Sequence, residues 1–322
     1  MFRHSIRTLV IGLCTLTAAS QAATALALET PPDQHRATHA ASRNPRSQTV
    51  SDLTTAMKDE AFAHARYTLF GAAADREGRP ADGRLFRSMA QAELSERLRQ
   101  AAALAGMVGT NAANLRQAIS GESYEHQIMY RGFADQARQD GDTEAAGLFA
   151  EIAADEGRHH DAYRTALTAL TTGRGTVPAP PKADVVSVRA GLPKVRAART
   201  RANLDAALHS EALAHAKYML FAARARQTGN AALARLFEGT AEVELREHFA
   251  GEAVLAGLVG TTKANLLKAM TEERGEATAR YPGFATRATA AGDTAAARYF
   301  RDAAADAARR AAAFRQALDR TR

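Results

Sequence analysis

The sequence predicts an all-α protein built as two tandem four-helix bundles, and three observations predict it. Apolar residues recur at helical spacing, as Leu85, Phe86, Met89 and Leu94 do, and no stretch alternates like a strand. Glycines, prolines and capping residues cut the chain into long segments with short connections. The same pattern then occurs twice: Glu60, Glu93, Glu96, Glu122 and Glu125 recur 151 positions later as Glu211, Glu244, Glu247, Glu273 and Glu276, with no insertion or deletion between them. A chain of 322 residues accommodates two domains of this kind, each long enough to bury a core.

Taken in order, residues 1–27 read as an export signal. Arg3 and Arg7 precede the apolar run Thr8–Ala19, and Ala25-Leu26-Ala27 offers a cleavage site. The run is short for a membrane span, so the expected location is periplasmic or secreted. Cys14, the one cysteine, falls inside this segment. Its removal would exclude disulfides, thiolate nucleophiles, iron–sulfur clusters and Cys-x-x-Cys knuckles. Residues 28–50, rich in Pro, Arg, Ser and Thr, are expected to be disordered.

The first bundle is expected over 51–171. Its first helix runs from about Asp52 to Arg76, capped by Ser51 or Asp52 and ended by Gly78. The second covers about Ala81 to Leu104 and stops at Gly106-Met107-Val108-Gly109; the third starts at the cap Thr110 and reaches about Asp140. After the turn Gly141-Asp142-Thr143 the fourth runs to about Leu170. The second bundle, 202–322, is punctuated alike at Gly229, Gly257, Gly260, Thr261 and Gly292-Asp293-Thr294. Between them, 172–201 contains Gly173, Gly175, Pro178, Pro180, Pro181 and Pro193 and reads as a flexible linker. The formal charge of +7 is modest, and the linker's Arg and Lys residues read as solvated rather than as a surface for an acidic partner or membrane. No basic reading helix points to nucleic acid.

The chemistry lies in the acidic positions. Glu93 and Glu96, Glu122 and Glu125, and Glu156 and His159 are each three apart, on one helix face, among apolar or small neighbours such as Ala90, Ile119 and Ile152. Glu60 sits likewise among Ala56, Ala63 and Tyr67. Each helix of the first copy therefore sends a carboxylate toward the bundle axis. Burying them without compensation costs several kcal/mol apiece, so cations must sit among them. Two metal ions bridged by carboxylates and completed by an imidazole meet that need, and oxygen-rich ligands with a His nitrogen suit iron or manganese. His64 and its counterpart His215 read as packing or surface histidines.

With these residues in view, each copy resembles the ferritin-like di-iron domain of the rubrerythrin family. The resemblance is carried by Lys58-Asp59-Glu60 with Arg66-Tyr67, Ala92-Glu93-Leu94-Ser95-Glu96, Asn114-Leu115, Gly121-Glu122-Ser123-Tyr124-Glu125 with Met129-Tyr130, and Glu156-Gly157-Arg158-His159-His160. It implies Glu60 and Glu122 as terminal ligands, Glu93 and Glu156 as bridges and His159 as a further ligand. Glu125 would be the carboxylate that moves with redox state. Tyr67 and Tyr130 would hydrogen-bond ligand carboxylates, the alternative being ordinary core tyrosines. Two departures stand out: Glu96 occupies the family's histidine position, adding an anion that favours the oxidised metals, and no rubredoxin-like module is present. The chain thus resembles the rubredoxin-free, erythrin-like members, which implies an external electron donor.

The resemblance implies an oxidoreductase that reduces peroxide or activates oxygen in oxidative-stress defence, with two iron ions (manganese possible) in the first bundle. A ferroxidase or iron-sequestering protein would use the same ligands, and a non-catalytic helical scaffold with remnant acidic positions is the third reading. In the second copy Glu156 and His159 become Ala307 and Arg310, which can neither bridge nor coordinate. That bundle is expected to be metal-free and to pack on the first as a pseudo-dimer. Arg310 would pair with Glu211, Glu244 and Glu273, or else turn to solvent beside one weakly held ion.

Overall fold

The structure, a computed structural model, describes residues 45–321. The expected signal segment, Cys14 and most of the expected lead-in lie outside the described residues. Within them the all-α expectation holds, and no strand occurs. Helix α1 (Pro45–Arg76) is followed by α2 (Pro80–Ala92), which continues through a π-helical turn at Glu93–Leu98 into α3 (Arg99–Ala105). Next come α4 (Asn111–Tyr124), a π turn at Glu125–Met129, α5 (Tyr130–Asp140) and α6 (Thr143–Thr172). The C-terminal half repeats the order: α7 (Ala198–Gln227), α8 (Ala231–Val243), a π turn at Glu244–His248, α9 (Phe249–Ala256), α10 (Thr262–Gly275), a π turn at Glu276–Arg280, α11 (Tyr281–Ala290) and α12 (Thr294–Asp319).

The expected punctuation is visible in the backbone. Gly106 and Gly257 end α3 and α9 in the left-handed conformation, at φ 66° and 59°. Thr110 and Thr261 cap α4 and α10, accepting from the amides of Ala113 and Ala264. The α1 start differs: residues 45–50, placed in the disordered lead-in, form its first turns, and the Thr49 hydroxyl donates to Asp293 at 2.5 Å.

The halves do not close bundles of their own over 51–171 and 202–322. One bundle is α1, α2–α3, α10–α11 and α12; the other is α7, α8–α9, α4–α5 and α6. The crossing is made after α3 and after α9, through Gly106–Thr110 and Gly257–Thr261. Asn114 Oδ1 holds the Gly109 amide at 2.8 Å and Asn265 Oδ1 the Gly260 amide at 2.9 Å, so both crossings are stapled alike. Met107, within the first crossing, packs against the cores of both bundles. Because both halves carry the same apolar pattern, a helix pair from one half buries its face equally well against either half, and exchange of equivalent elements costs little. Periodicity therefore cannot reveal the exchange. Helices α1 and α7 pack against each other between the bundles, with His64 and His215 stacked 5.5 Å apart.

The connector is also not a flexible solvated tether. Residues 173–197 form an extended strap lying on the C-terminal half. The Val186, Gly191 and Lys194 amides donate to Arg246, Val259 and Leu255 carbonyls at 2.9–3.0 Å, and Val188 and Val195 are buried. The amides of Arg196 and Ala197 bind the Asp142 carboxylate at 2.9 and 3.0 Å. The strap lies so close to α8 that a Cβ on Gly239 would stand 2.6 Å from Pro180 and 2.8 Å from the Pro181 carbonyl. Its prolines, which cannot donate to a helix ladder, suit an extended path held by the amides between them.

Candidate metal centre

The exchange of helices decides which residues meet. Helix α7 supplies Glu211, the turn after α8 supplies Glu244 and His248, α4 supplies Glu122, and α6 supplies Glu156 and His159. All six are buried in one bundle. His159 Nδ1 faces Glu156 Oε2 at 3.0 Å, Glu244 Oε1 at 3.5 Å and Glu122 Oε2 at 3.6 Å. His248 Nδ1 faces Glu244 Oε2 at 2.9 Å, Glu156 Oε1 at 3.2 Å and Glu211 Oε2 at 3.5 Å. Glu156 and Glu244 thus present one oxygen to each histidine, while Glu122 and Glu211 each face one. That is the geometry of two adjacent cation positions with two shared and two terminal carboxylates.

Both positions gather four candidate ligand atoms within 4.8 Å of one another. Four carboxylates carry four negative charges, which two divalent ions cancel. Several of the atoms that would face those ions are buried without a hydrogen-bond partner: Glu122 Oε2, Glu211 Oε2, both oxygens of Glu244 and both nitrogens of His248. Buried polar atoms are rarely left so, and their convergence fits a dinuclear metal group. Without metal, protons take its place. Burial, reinforced by Glu244 and Glu122, raises Glu156 well above the usual carboxylate range, and burial and Glu244 do the same to Glu211. The carboxylates raise His159 and His248 despite burial. Glu244 goes the other way, lowered against burial by the two imidazoles that flank it.

Two tyrosines steady the terminal carboxylates. The Tyr130 hydroxyl donates to Glu211 and lies 2.9 Å from Glu252 Oε1; the Tyr218 hydroxyl donates to Glu122. Each comes from the opposite half to the carboxylate it holds. Glu125 lies beside the cluster, accepting from Ser210 at 2.5 Å, with burial and Glu122 raising its pKa to about 7.

In the other bundle the expected ligands Glu60 and Glu93 lie among tyrosine and arginine partners. Glu60 accepts from Tyr281, and Tyr67 donates to Glu273 at 2.8 Å. Arg310 Nε lies 2.9 Å from both Glu93 and Glu273. Of the expected set, then, Glu122, Glu125, Glu156, His159 and Tyr130 lie in one bundle and Glu60, Glu93 and Tyr67 in the other, because α1–α3 fold away from α4–α6. Arg310 reaches Glu273 as expected but Glu93 in place of Glu211 and Glu244, for the same reason.

Glu96 requires a further correction: it is exposed, and so plays no part in a buried cluster. The chain there is wound as a π turn, which rotates the residue four places after the first glutamate to the inside. In the C-terminal half this brings His248 inward rather than Glu247; in the N-terminal half it brings Arg97, which pairs with Asp306. His248 and Glu252 were missed by the sequence reading. The signal for both was a break in the repeat, since their counterparts are Arg97 and Ala101.

A sequence model described as rubrerythrin matches residues 52–167. Rubrerythrin from Porphyromonas gingivalis is 32% identical over 139 residues, covering 39% of this chain and 70% of that protein. Rubrerythrin from Nitratidesulfovibrio vulgaris is 31% identical over 140 residues, covering 40% and 73%. Nigerythrin from the same organism is 32% identical over 131 residues, covering 37% and 65%. No solved structure gives a significant match.

Proposed function

The chain belongs to the rubrerythrin family, and from that premise we propose that it is an exported, tandemly duplicated non-haem di-iron protein that reduces peroxide or activates oxygen with electrons from a separate donor. The observation that carries the reading is the pair of buried Glu/His positions sharing Glu156 and Glu244. Glu122, Glu156, His159 and Glu244 would hold one ion, and Glu156, Glu211, Glu244 and His248 the other. When bound, two iron ions (or manganese) supply the electron exchange with peroxide or oxygen.

The protein's own groups do the rest. Tyr130 and Tyr218 fix the orientation of Glu211 and Glu122 by donating to one oxygen of each, leaving the other turned into the cluster. The phenols cannot compete as anions, because burial, with the neighbouring carboxylates, holds both well above the ordinary tyrosine range. Aromatic packing of Tyr130 on Phe149 and of Tyr218 on Tyr163 and Phe237 helps to close the site. The bundle holding Arg310 takes the role of a metal-free partner in this reading.

Metal analysis of the purified chain should find about two ions, as expected for one dinuclear centre. Chemically reduced protein mixed anaerobically with peroxide should then reoxidise rapidly, followed by its near-ultraviolet absorption. Slow reaction with peroxide, combined with oxygen uptake on adding ferrous ion alone, would replace this reading with iron oxidation. Export is checked separately: the secreted or periplasmic protein should begin at Leu28, the residue after Ala27.

A further inference from the structure

Arg310 and Arg97 are instructive because each stands where the other bundle lacks a fixed cation. Counting 151 positions, Glu96, Arg97 and Asp306 correspond to Glu247, His248 and Asp155. In the Arg310 bundle, the inward-turned Arg97 is an ion-pair partner of Asp306. In the metal-candidate bundle that guanidinium is replaced by the His248 ring. Asp155 Oδ2 therefore faces His248 Nε2 at 3.6 Å, and Glu247 joins them, one ligand atom from each lying within 4.8 Å of the others. His248 is 1% exposed, and its Nε2 has no hydrogen-bond partner. A buried imidazole edge without a hydrogen-bond partner thus lies beside two carboxylates.

The surroundings give this set access to solvent. Asp155 and Glu247 line a cavity of about 240 Å³ whose wall also contains His159 and, from the strap, Pro181, Lys182 and Asp184. Arg158 pairs with Asp155, but through Oδ1 and from a side chain 70% exposed, so the pair is weak and leaves Oδ2 available. Asp306 has the same kind of neighbour in Arg309 and is nonetheless also paired with Arg97. The position evidently takes a second cation.

We propose that Asp155, Glu247 and His248 Nε2 form an outer site for a divalent cation at the mouth of this cavity, one imidazole ring away from the dinuclear cluster. Two carboxylate oxygens and an imidazole nitrogen suit manganese(II) or iron(II). With His248 Nδ1 engaged by the inner cluster as well, binding at Nε2 releases the ring's remaining proton to solvent. The outer ion therefore binds most readily before the inner position beside His248 is filled. A role in staging ions for the inner cluster rests on the dinuclear reading above; the existence of the outer site does not.

The test is a manganese(II) titration of the metal-free full chain, followed by electron paramagnetic resonance. An isolated-ion spectrum at low manganese, appearing before the exchange-coupled signal of an inner pair grows in, is the expected result. The variants D155N and E247Q should each weaken the isolated ion roughly tenfold or more while the coupled signal persists, which also shows that they fold. If the wild type shows only the coupled pair, or if the isolated signal is unchanged in both variants, the outer site is wrong. If the isolated signal is present and sensitive to both variants but the coupled pair never forms, the outer site stands and the dinuclear reading falls.

Discussion

Glu60 and Glu156 are both expected as ligands of one centre, terminal and bridging, and the structure puts them in different bundles, which makes them the sharpest pair to substitute. Glu156 offers an oxygen to both histidines, so Glu156→Gln should abolish coupled metal binding. Glu60 sits in the other bundle under Tyr281, so Glu60→Gln should leave the bound metal unchanged. Metal content of the two purified variants checks both, and loss of metal in Glu60→Gln would refute the exchanged pairing. Arg310 invites a different measurement. It is the one cation within 3 Å of Glu93 and Glu273 among the described residues, so Arg310→Met leaves buried carboxylates without their partner. Denaturant unfolding should show a loss of about 3–5 kcal/mol, the usual cost of removing one member of a buried pair. The i, i+3 spacing made Glu122, Glu156 and His159 conspicuous, and those three do converge, with Glu125 beside them. His248 was not legible, because the spacing rule assumes an α-helix and the chain is wound more widely there.

At the scale of elements, helix ends were the most legible feature, since Gly106, Thr110, Gly257 and Thr261 act through local backbone chemistry that sequence states directly. The strap was not legible: its prolines and glycines forbid a helix without saying what holds the segment instead. Its contact with α8 depends on the missing side chain of Gly239. Gly239→Ala must displace Pro180 and Pro181, and should cost about 1–3 kcal/mol in thermal or denaturant unfolding. An unchanged midpoint would mean the strap is not seated on α8.

The α1–α7 contact has its own signature in pH. His215 is buried between the helices, its Nδ1–H donating to the Ala241 carbonyl at 2.8 Å. Burial, with the facing His64, lowers its pKa to about 4. The folded state keeps this ring neutral while the unfolded chain protonates it below about 6.5. Its contribution is therefore complete above that pH and is lost as pH falls toward 4, by about 2 kcal/mol at pH 5. In His215→Asn, whose amide can replace the Nδ1–H donor, that part of the stability difference between pH 7 and pH 5 should disappear. Equal pH dependence in the variant and the wild type would refute the assignment.

For the molecule as a whole, the question is which unit behaves as a domain. A repeat in sequence suggests 51–171 and 202–322, whereas the helices that share a core are drawn from both halves. Metal can stabilise only what it binds, and a ligand that binds the folded state raises the free energy of every opening that exposes its site. Chelation therefore loosens whichever helices surround the cluster, and amide hydrogen exchange reads that out segment by segment. With the exchanged pairing, removing metal should accelerate exchange in α4–α6 and α7–α9, that is, over 111–172 and 198–256. Segments 45–105 and 262–319, which are held around Arg310, should be much less affected. Had each half closed on itself with the expected ligands, acceleration would instead cover 51–171 and spare 202–322. The two outcomes differ most in α1–α3 and α7–α9, whose responses are reversed between them, so one exchange experiment on the intact chain decides where the domains lie.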